Sequence, residues 1–466
     1  MSAISSLHRY TLAALTGVAL TGLSCKKLIQ VPANPPNMIP TAQVFVDSSD
    51  IMAAMAGVYG NFKVNGGGVC ITNGLVTIDA GLSADELAYN LASDANTLQF
   101  MTNGLTSANT LADQLWSSAY SALYQVNACL QGIQPSKGIS DPLKQQLIGE
   151  LKVIRAFYYF HLVNLFGGVP LVTQTNFNIT QSQPRATVDS VYGLILADLT
   201  AARTMLKAAY PSAGRARINL YTADAFLAKV FLYRGDWLDA ANTAGEAINS
   251  NQYSLVTDLT KVYLDGSTEA IWQLPGKGTS TQTTEAATLI PFSNFSVPNY
   301  TIAATLLSAF ETGDARRQNW LASSTIGGKT YYYAYKYRNR LATAATTEDY
   351  MMFRLGELYL NRAEALANQG KTDSALADLN KIRVRAALPA ITTVASQAAL
   401  LTVIAHERQV ELFCEWGARW FDLKRTGTID SVLGAEKPGW QSFDALYPIP
   451  QTEITDNSFL TQNQGY

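Results

Sequence analysis

Two stretches of this chain repeat one another at an offset of 135 residues, and that repeat restricts the fold more than any other feature. Ala228, Phe231, Gly235, Ala240, Ala244 and Ala247 fall on Ala363, Leu366, Gly370, Ala375, Leu379 and Ile382. Each copy reads as a helix ending at glycine, a short turn and a second helix. Small residues sit where paired helices approach closely, and larger apolar residues fill between them. Alanine is frequent in any helix, but six coincident positions that include the turn glycine are hard to obtain by chance. Helical periodicity continues around the copies. Leu143, Leu147, Leu151, Ile154, Tyr158, Leu162 and Leu165 step by three or four residues, one face of a helix that Gly167-Gly168-Val169-Pro170 ends. Thr187 reads as the N-cap of a helix over Val188 to Leu206, with Asp189 in its first turn, where a carboxylate suits the helix dipole. Trp116 to Ile133 with Leu143 to Leu165, and Val188 to Leu206 with a helix beginning near Thr222, form candidate third and fourth pairs.

The small–large–Gly–small pattern resembles the tetratricopeptide helix pair. Such pairs bury their faces only against neighbours, so the copies are expected to stack into one curved body. The predicted fold class is mainly α, a tetratricopeptide-like stack of helix pairs beside an irregular, loop-rich lobe with short strands. The helical body is assigned to about 41–60, 109–250 and 351–425, and the lobe to about 61–108, 253–350 and 426–466. Asp47 to Tyr59 has a helical pattern closed by Gly60. Residues 61–108 are rich in Gly, Asn and Thr and read as a long binding loop. Tyr253 to Tyr350 is rich in Thr, Ser, Tyr and Gly, with β-prone runs at Ala270 to Leu274 and Lys329 to Tyr335.

Composition narrows the function. Hydrophobic residues make up 48% and charged residues 15%, which excludes a disordered chain. The 34 basic and 36 acidic side chains exclude a nucleic-acid binder that works by charge. Abundant uncharged polar residues and 23 tyrosines suit a neutral ligand, or equally a set of solvated loops. His8, His161 and His406 lack metal-ligand spacing, and His161, amid Tyr158, Phe160 and Leu162, reads as a packed residue. Gly66-Gly67-Gly68 is not followed by Lys and Ser/Thr, so it is no phosphate loop. Asp85 and Glu86 are adjacent and would diverge on a helix. Asp258 and Asp265-Gly266 offer calcium-type oxygens without EF-hand spacing, which reads as ordinary turns. No nucleophile-and-base signature is visible, so neither an enzyme nor a cofactor is expected. Cys129 and Cys414 lie in apolar helical patterns and read as small hydrophobes.

The N-terminus suggests export. Residues 1–24 carry Arg9, then an uncharged apolar run from Tyr10 to Leu23 that is too short to span a membrane. Cys25 follows directly, which points to lipid attachment at its thiol; the alternative is a plain secretory signal with an incidental cysteine. Gly22 stands where a lipobox usually has Leu. Residues 25–40, with Pro32, Pro35, Pro36 and Pro40, read as an extended tether, leaving 41–466 as the folded domain.

Several strings, in order along nearly the whole chain, resemble the SusD/RagB family of outer-membrane nutrient-binding lipoproteins. They include Arg155 to Phe160 with Leu165 to Leu171, preceded by Trp116, Tyr120, Tyr124 and Asn127, and Pro184 to Val188 with Tyr192. Arg354, Glu357 and Ala363-Glu364-Ala365 follow, then Glu407-Arg408, Glu411-Leu412, Arg419 to Arg425, Pro448-Ile449-Pro450 and Gln462 to Tyr466. Arg408, Glu411, Glu415, Arg419 and Asp422 alternate in sign, a pattern that suits buried ion pairs better than a ligand site.

The resemblance implies a tetratricopeptide-like right-handed helical superhelix with an irregular lobe on it, lipid anchoring at the cell outer membrane with exposure at the cell surface, and a SusC-like TonB-dependent transporter as partner. It implies capture of glycans or oligosaccharides for import. Two alternatives stay open: the same lid role for peptides, and a tetratricopeptide-type scaffold without a small-molecule ligand. Sugar recognition needs aromatic faces for the rings and amides or carboxylates for the hydroxyls. The loops offer Tyr89 and Asn90 in the first, and Phe292, Asn294, Phe295 and Tyr300 in the second. Each is also an ordinary loop residue taken singly.

Overall fold

The computed structural model describes residues 44–62, 70–276, 282–343 and 347–466. The export signal, Cys25, the proline tether and the triple glycine lie outside the described residues. In chain order, helix α1 spans Ser48–Gly60, α2 Val76–Ser83, strand β1 Leu87–Tyr89 and α3 Ala95–Thr102. The long helices α4 (Thr110–Ile133), α5 (Asp141–Phe166) and α6 (Val188–Met205) follow, then α7 (Leu220–Arg234) and α8 (Trp237–Ile248). Strand β2 (Ala270–Pro275), α9 (Thr284–Leu289), β3 (Tyr300–Ile302), α10 (Ala315–Trp320), β4 (Leu321–Ile326), β5 (Lys329–Ala334) and β6 (Asp349–Arg354) make up the middle of the chain. Helices α11 (Leu355–Asn368), α12 (Thr372–Arg385), α13 (Gln397–Leu412) and α14 (Ala418–Arg425) return to the body.

The repeat corresponds to two helix hairpins, α7–α8 and α11–α12. Gly235 and Gly370 both take left-handed backbone, φ +77° and +75°, which a side chain at either site would strain. The turns use the same hydrogen bonds at the same offset. Asp236 N donates to Phe231 O at 2.9 Å, and Lys371 N donates to Leu366 O at 3.0 Å. Ala228, Ala240, Ala244 and Ala247 are buried, as are Ala363, Ala375, Leu379 and Ile382. Neighbouring helices pack in the order α4, α5, α6, α7, α8, then directly α8 against α11, with α12 and α13 on α11. The two copies are therefore neighbours in space, and the chain between them leaves the body and comes back. The third and fourth pairs, α4–α5 and α6–α7, also pack together. Thr187 caps α6 by accepting from Ser190 N at 3.2 Å.

Strands are few and short among the described residues: β1 pairs with β3, β2 with β6 and β4 with β5, all antiparallel. The β2–β6 pair carries Trp272 and Phe353 onto the helices. Their rings lie 5.9 and 6.3 Å from Phe157 of α5, and Phe353 lies 5.1 Å from Phe226 of α7. Large ring areas removed from water on both partners fix this contact. His161 is buried, with Nδ1 2.8 Å from Phe157 O, and burial lowers its pKa to about 3, so it is neutral packing.

A buried ionic network joins the strands to the helices. Arg354, at the end of β6, donates to Glu269, Glu411 and Glu415 at 2.5–3.0 Å. Arg316 pairs with Asp314, Glu407 and Glu411, and Arg385 with Glu269 and Glu411. Burial works against ionisation of Glu415, but Arg354 and Lys336 bring its pKa down to about 2. Nearby, Arg408 pairs with Asp422 and Arg419 with Asp85, each at 2.7 Å. The alternating charges are thus structural.

One expectation changes. The stretch read as a long loop is largely core: Ile71 to Leu87 is buried throughout, with α2 inside it. A helix covered on every side has no polar face, so it shows no 3.6-residue alternation in sequence. From Ala88 onward the chain reaches solvent again. No helix among the described residues is long and apolar enough to cross a membrane.

Candidate functional site

The β1–β3 ladder places Tyr89 directly opposite Tyr300, with Ala88 opposite Thr301 and Leu87 opposite Ile302. Buried Leu87 anchors the strand from below. Gly81 makes room, since a Cβ there would lie 3.1 Å from Leu87 Cδ1 and 3.3 Å from Glu86 Oε2. Backbone bonds extend the ladder both ways: Ala303 N donates to Glu86 O and Asn90 N to Asn299 O, each at 2.9 Å. Tyr89 N donates to the Met101 sulfur at 3.1 Å, which ties the strand to α3.

The Tyr89 and Tyr300 rings stand 5.0 Å apart, tilted by 44°. Both residues are half-buried. Burial, and then the Asp94 carboxylate, raise the Tyr89 phenol pKa; Tyr300 is raised chiefly by burial. Both hydroxyls therefore stay protonated at neutral pH and offer a donor and an acceptor. Asp94 itself is occupied, accepting from Asn96 N, Thr97 N and Thr97 Oγ1 at the start of α3.

Asn90 works differently from a free amide. Its Nδ2 donates to Pro298 O at 2.9 Å and to Thr301 Oγ1 at 3.2 Å. The amide hydrogens clip both β3 and the loop that precedes it, and the amide oxygen is the group left for a ligand. That loop carries Phe292, Asn294 and Phe295, all exposed. Phe292 and Phe295 are 86% and 93% exposed, values far outside the norm for phenylalanine. Phe295 N donates to Ser293 Oγ at 3.1 Å, a local turn that sets the tip. Tyr89, Asn90 and Tyr300 thus form one connected group. Phe292, Asn294 and Phe295 lie on the attached loop without a side-chain contact to the tyrosine pair among the described residues.

Sequence reasoning missed Arg340, whose guanidinium lies 4.9 Å from the Phe292 ring centroid. The signal was present, as Arg338 and Arg340 follow a tyrosine-rich strand, but the pairing is not local. A separate groove of about 550 Å³ opens on the helical body, lined by Tyr233, Trp237, Asn368, Arg408, Asp422 and Arg425. Its charges answer one another: Asp422 accepts from Arg408 at 2.7 Å and Arg425 at 2.8 Å, and Arg425 also grips Glu364. Despite burial, Arg408 and Arg425 hold the Asp422 carboxyl well below the usual range. No cluster of His, Cys, Asp and Glu suited to a metal occurs among the described residues.

Residues 309–466 match the model of the SusD family, and residues 35–232 match one described as starch-binding, associating with the outer membrane. A SusD-like protein of Formosa agariphila is 25% identical, over 82% of this chain and 86% of that protein. Among solved structures, a SusD superfamily protein from Bacteroides vulgatus gives a TM-score of 0.79 at 20% identity, covering 90% of this chain and 99% of that chain. A laminarin-binding SusD-like protein gives 0.76 at 23% identity, covering 91% and 100%. With the ordered motifs, the stacked helix pairs and these matches in agreement, the chain belongs to the SusD/RagB family.

Proposed function

We propose that this protein is a non-enzymatic, lipid-anchored receptor that binds glycans at the outer membrane and hands them to a SusC-like TonB-dependent transporter. The observation that carries the binding reading is the opposed Tyr89–Tyr300 pair beside a loop that holds two phenylalanines in water. Exposing such rings costs about 1.5–3 kcal/mol each relative to burial, so their exposure is best understood as preparation for a flat, partly apolar partner such as a pyranose ring. The family description, which names starch, and the laminarin-binding relative support a sugar as that partner. In this reading Cys25 carries the lipid, and the helical body faces the transporter.

The test is a glycan array probed with the mature chain, followed by purification from native membranes in mild detergent. Specific glycan binding and recovery with a large β-barrel protein are expected. Binding to peptides but to no glycan would transfer the same lid role to peptides. A soluble, unlipidated periplasmic monomer would contradict the anchored receptor.

A further inference from the structure

Arg340 differs from the arginines of the helical groove in being held but not neutralised. It rests on Phe292, and it forms no ion pair with an acidic side chain among the described residues. No acid is hidden elsewhere, because residues 1–43, 63–69, 277–281 and 344–346 contain neither Asp nor Glu. The Arg340 Nε is buried and has no hydrogen-bond partner. Acids near it along the chain are engaged or shielded: Glu348 accepts from Arg338 N at 2.6 Å and Asn339 N at 2.9 Å, Asp314 pairs with Arg316, Glu311 with Arg383, and Glu285 is buried. A guanidinium stacked on a ring keeps its N–H edge available, and that edge matches a planar carboxylate or a sulfate in two-pronged geometry.

We propose that Arg340 makes this site selective for anionic oligosaccharides, taking a carboxylate or sulfate group while Phe292 and its neighbours take the sugar faces. The inference rests on the glycan-binding reading and adds the charge class of the ligand. It also gives Phe292 a second role, as the platform that orients the guanidinium.

The experiment is calorimetric titration of the mature chain at physiological salt with matched anionic and neutral polymers. The pairs are polygalacturonate and its methyl ester, alginate and its propylene glycol ester, and dextran sulfate and dextran, with neutral laminarihexaose added. The anionic member of at least one pair is expected to bind ten-fold or more tightly than its neutral match. Arg340→Gln should erase that preference, Arg340→Lys should keep part of it, and neither should move the melting temperature. Equal binding within every pair, or an unchanged preference in Arg340→Gln, overturns the inference. If laminarihexaose or a neutral member binds while no anionic preference appears, the glycan reading stands and the charge assignment alone falls. If no glycan in the set or on the array binds, the glycan reading falls with it.

Discussion

Glu86 shows how closely the ligand platform depends on one buried carboxyl. It sits immediately before β1, and its Oε1 accepts from Cys414 N at 3.3 Å while Oε2 has no partner. Burial, and then the neighbouring Asp85, push its pKa up to about 8, against the weaker pull of Lys336 and Arg419. A carboxyl with a raised folded-state pKa contributes stability that is complete below its unfolded value of about 4.3 and is lost as pH rises through about 8. Glu86→Gln lacks that loss. Urea denaturation is therefore expected to show the variant gaining on the natural protein by about 1–3 kcal/mol between pH 5 and pH 8. A constant difference across that range would mean that Glu86 is ionised in the folded protein. At this scale the sequence was only partly legible. Tyr89 and Tyr300 are recognisable as candidate rings, but their pairing depends on a three-residue ladder between segments more than 200 positions apart. Nor does any local pattern reveal that Asn90 spends its amide hydrogens on the backbone of Pro298 and the side chain of Thr301.

At the scale of elements, the two repeated hairpins were readable because small and large apolar residues recur at one offset and glycine marks each turn, even though most of α7 is buried on every side. The irregular middle was readable only as composition. Its strands are held by what they meet, with Trp272 and Phe353 in the aromatic core and Arg354 in the ionic network. Arg354→Met should test that dependence. It leaves Glu269, Glu411 and Glu415 with fewer counter-charges in a dry setting, and a loss of about 3–5 kcal/mol is expected in equilibrium unfolding. Replacing an exposed pair such as Lys261–Asp258 should leave the unfolding midpoint nearly unchanged. Equal small effects would show that water reaches the network. The fully covered helix α2 is the clearest illegible element: with every face buried, it offers no periodic signal to find.

Taken whole, the molecule is a stack of helix pairs from which a mid-chain excursion leaves and returns between adjacent hairpins. The overall charge of -2 describes neither region well. The body answers its charges in buried ion pairs, several of them with Arg316, Lys336 and Arg354 of the excursion, while Arg340 stands unpaired by any acid among the described residues, beside the exposed Phe292 ring. That division fits a rigid mount that positions a receptive surface. The most direct test is the affinity of the best array glycan for the natural protein and for the Tyr89→Ala/Phe295→Ala double variant, measured by calorimetry beside thermal melting. The account predicts at least a ten-fold loss of affinity, the scale expected for removing binding anchors, with melting little changed. Undiminished affinity in a folded double variant would contradict the placement of the ligand on this surface.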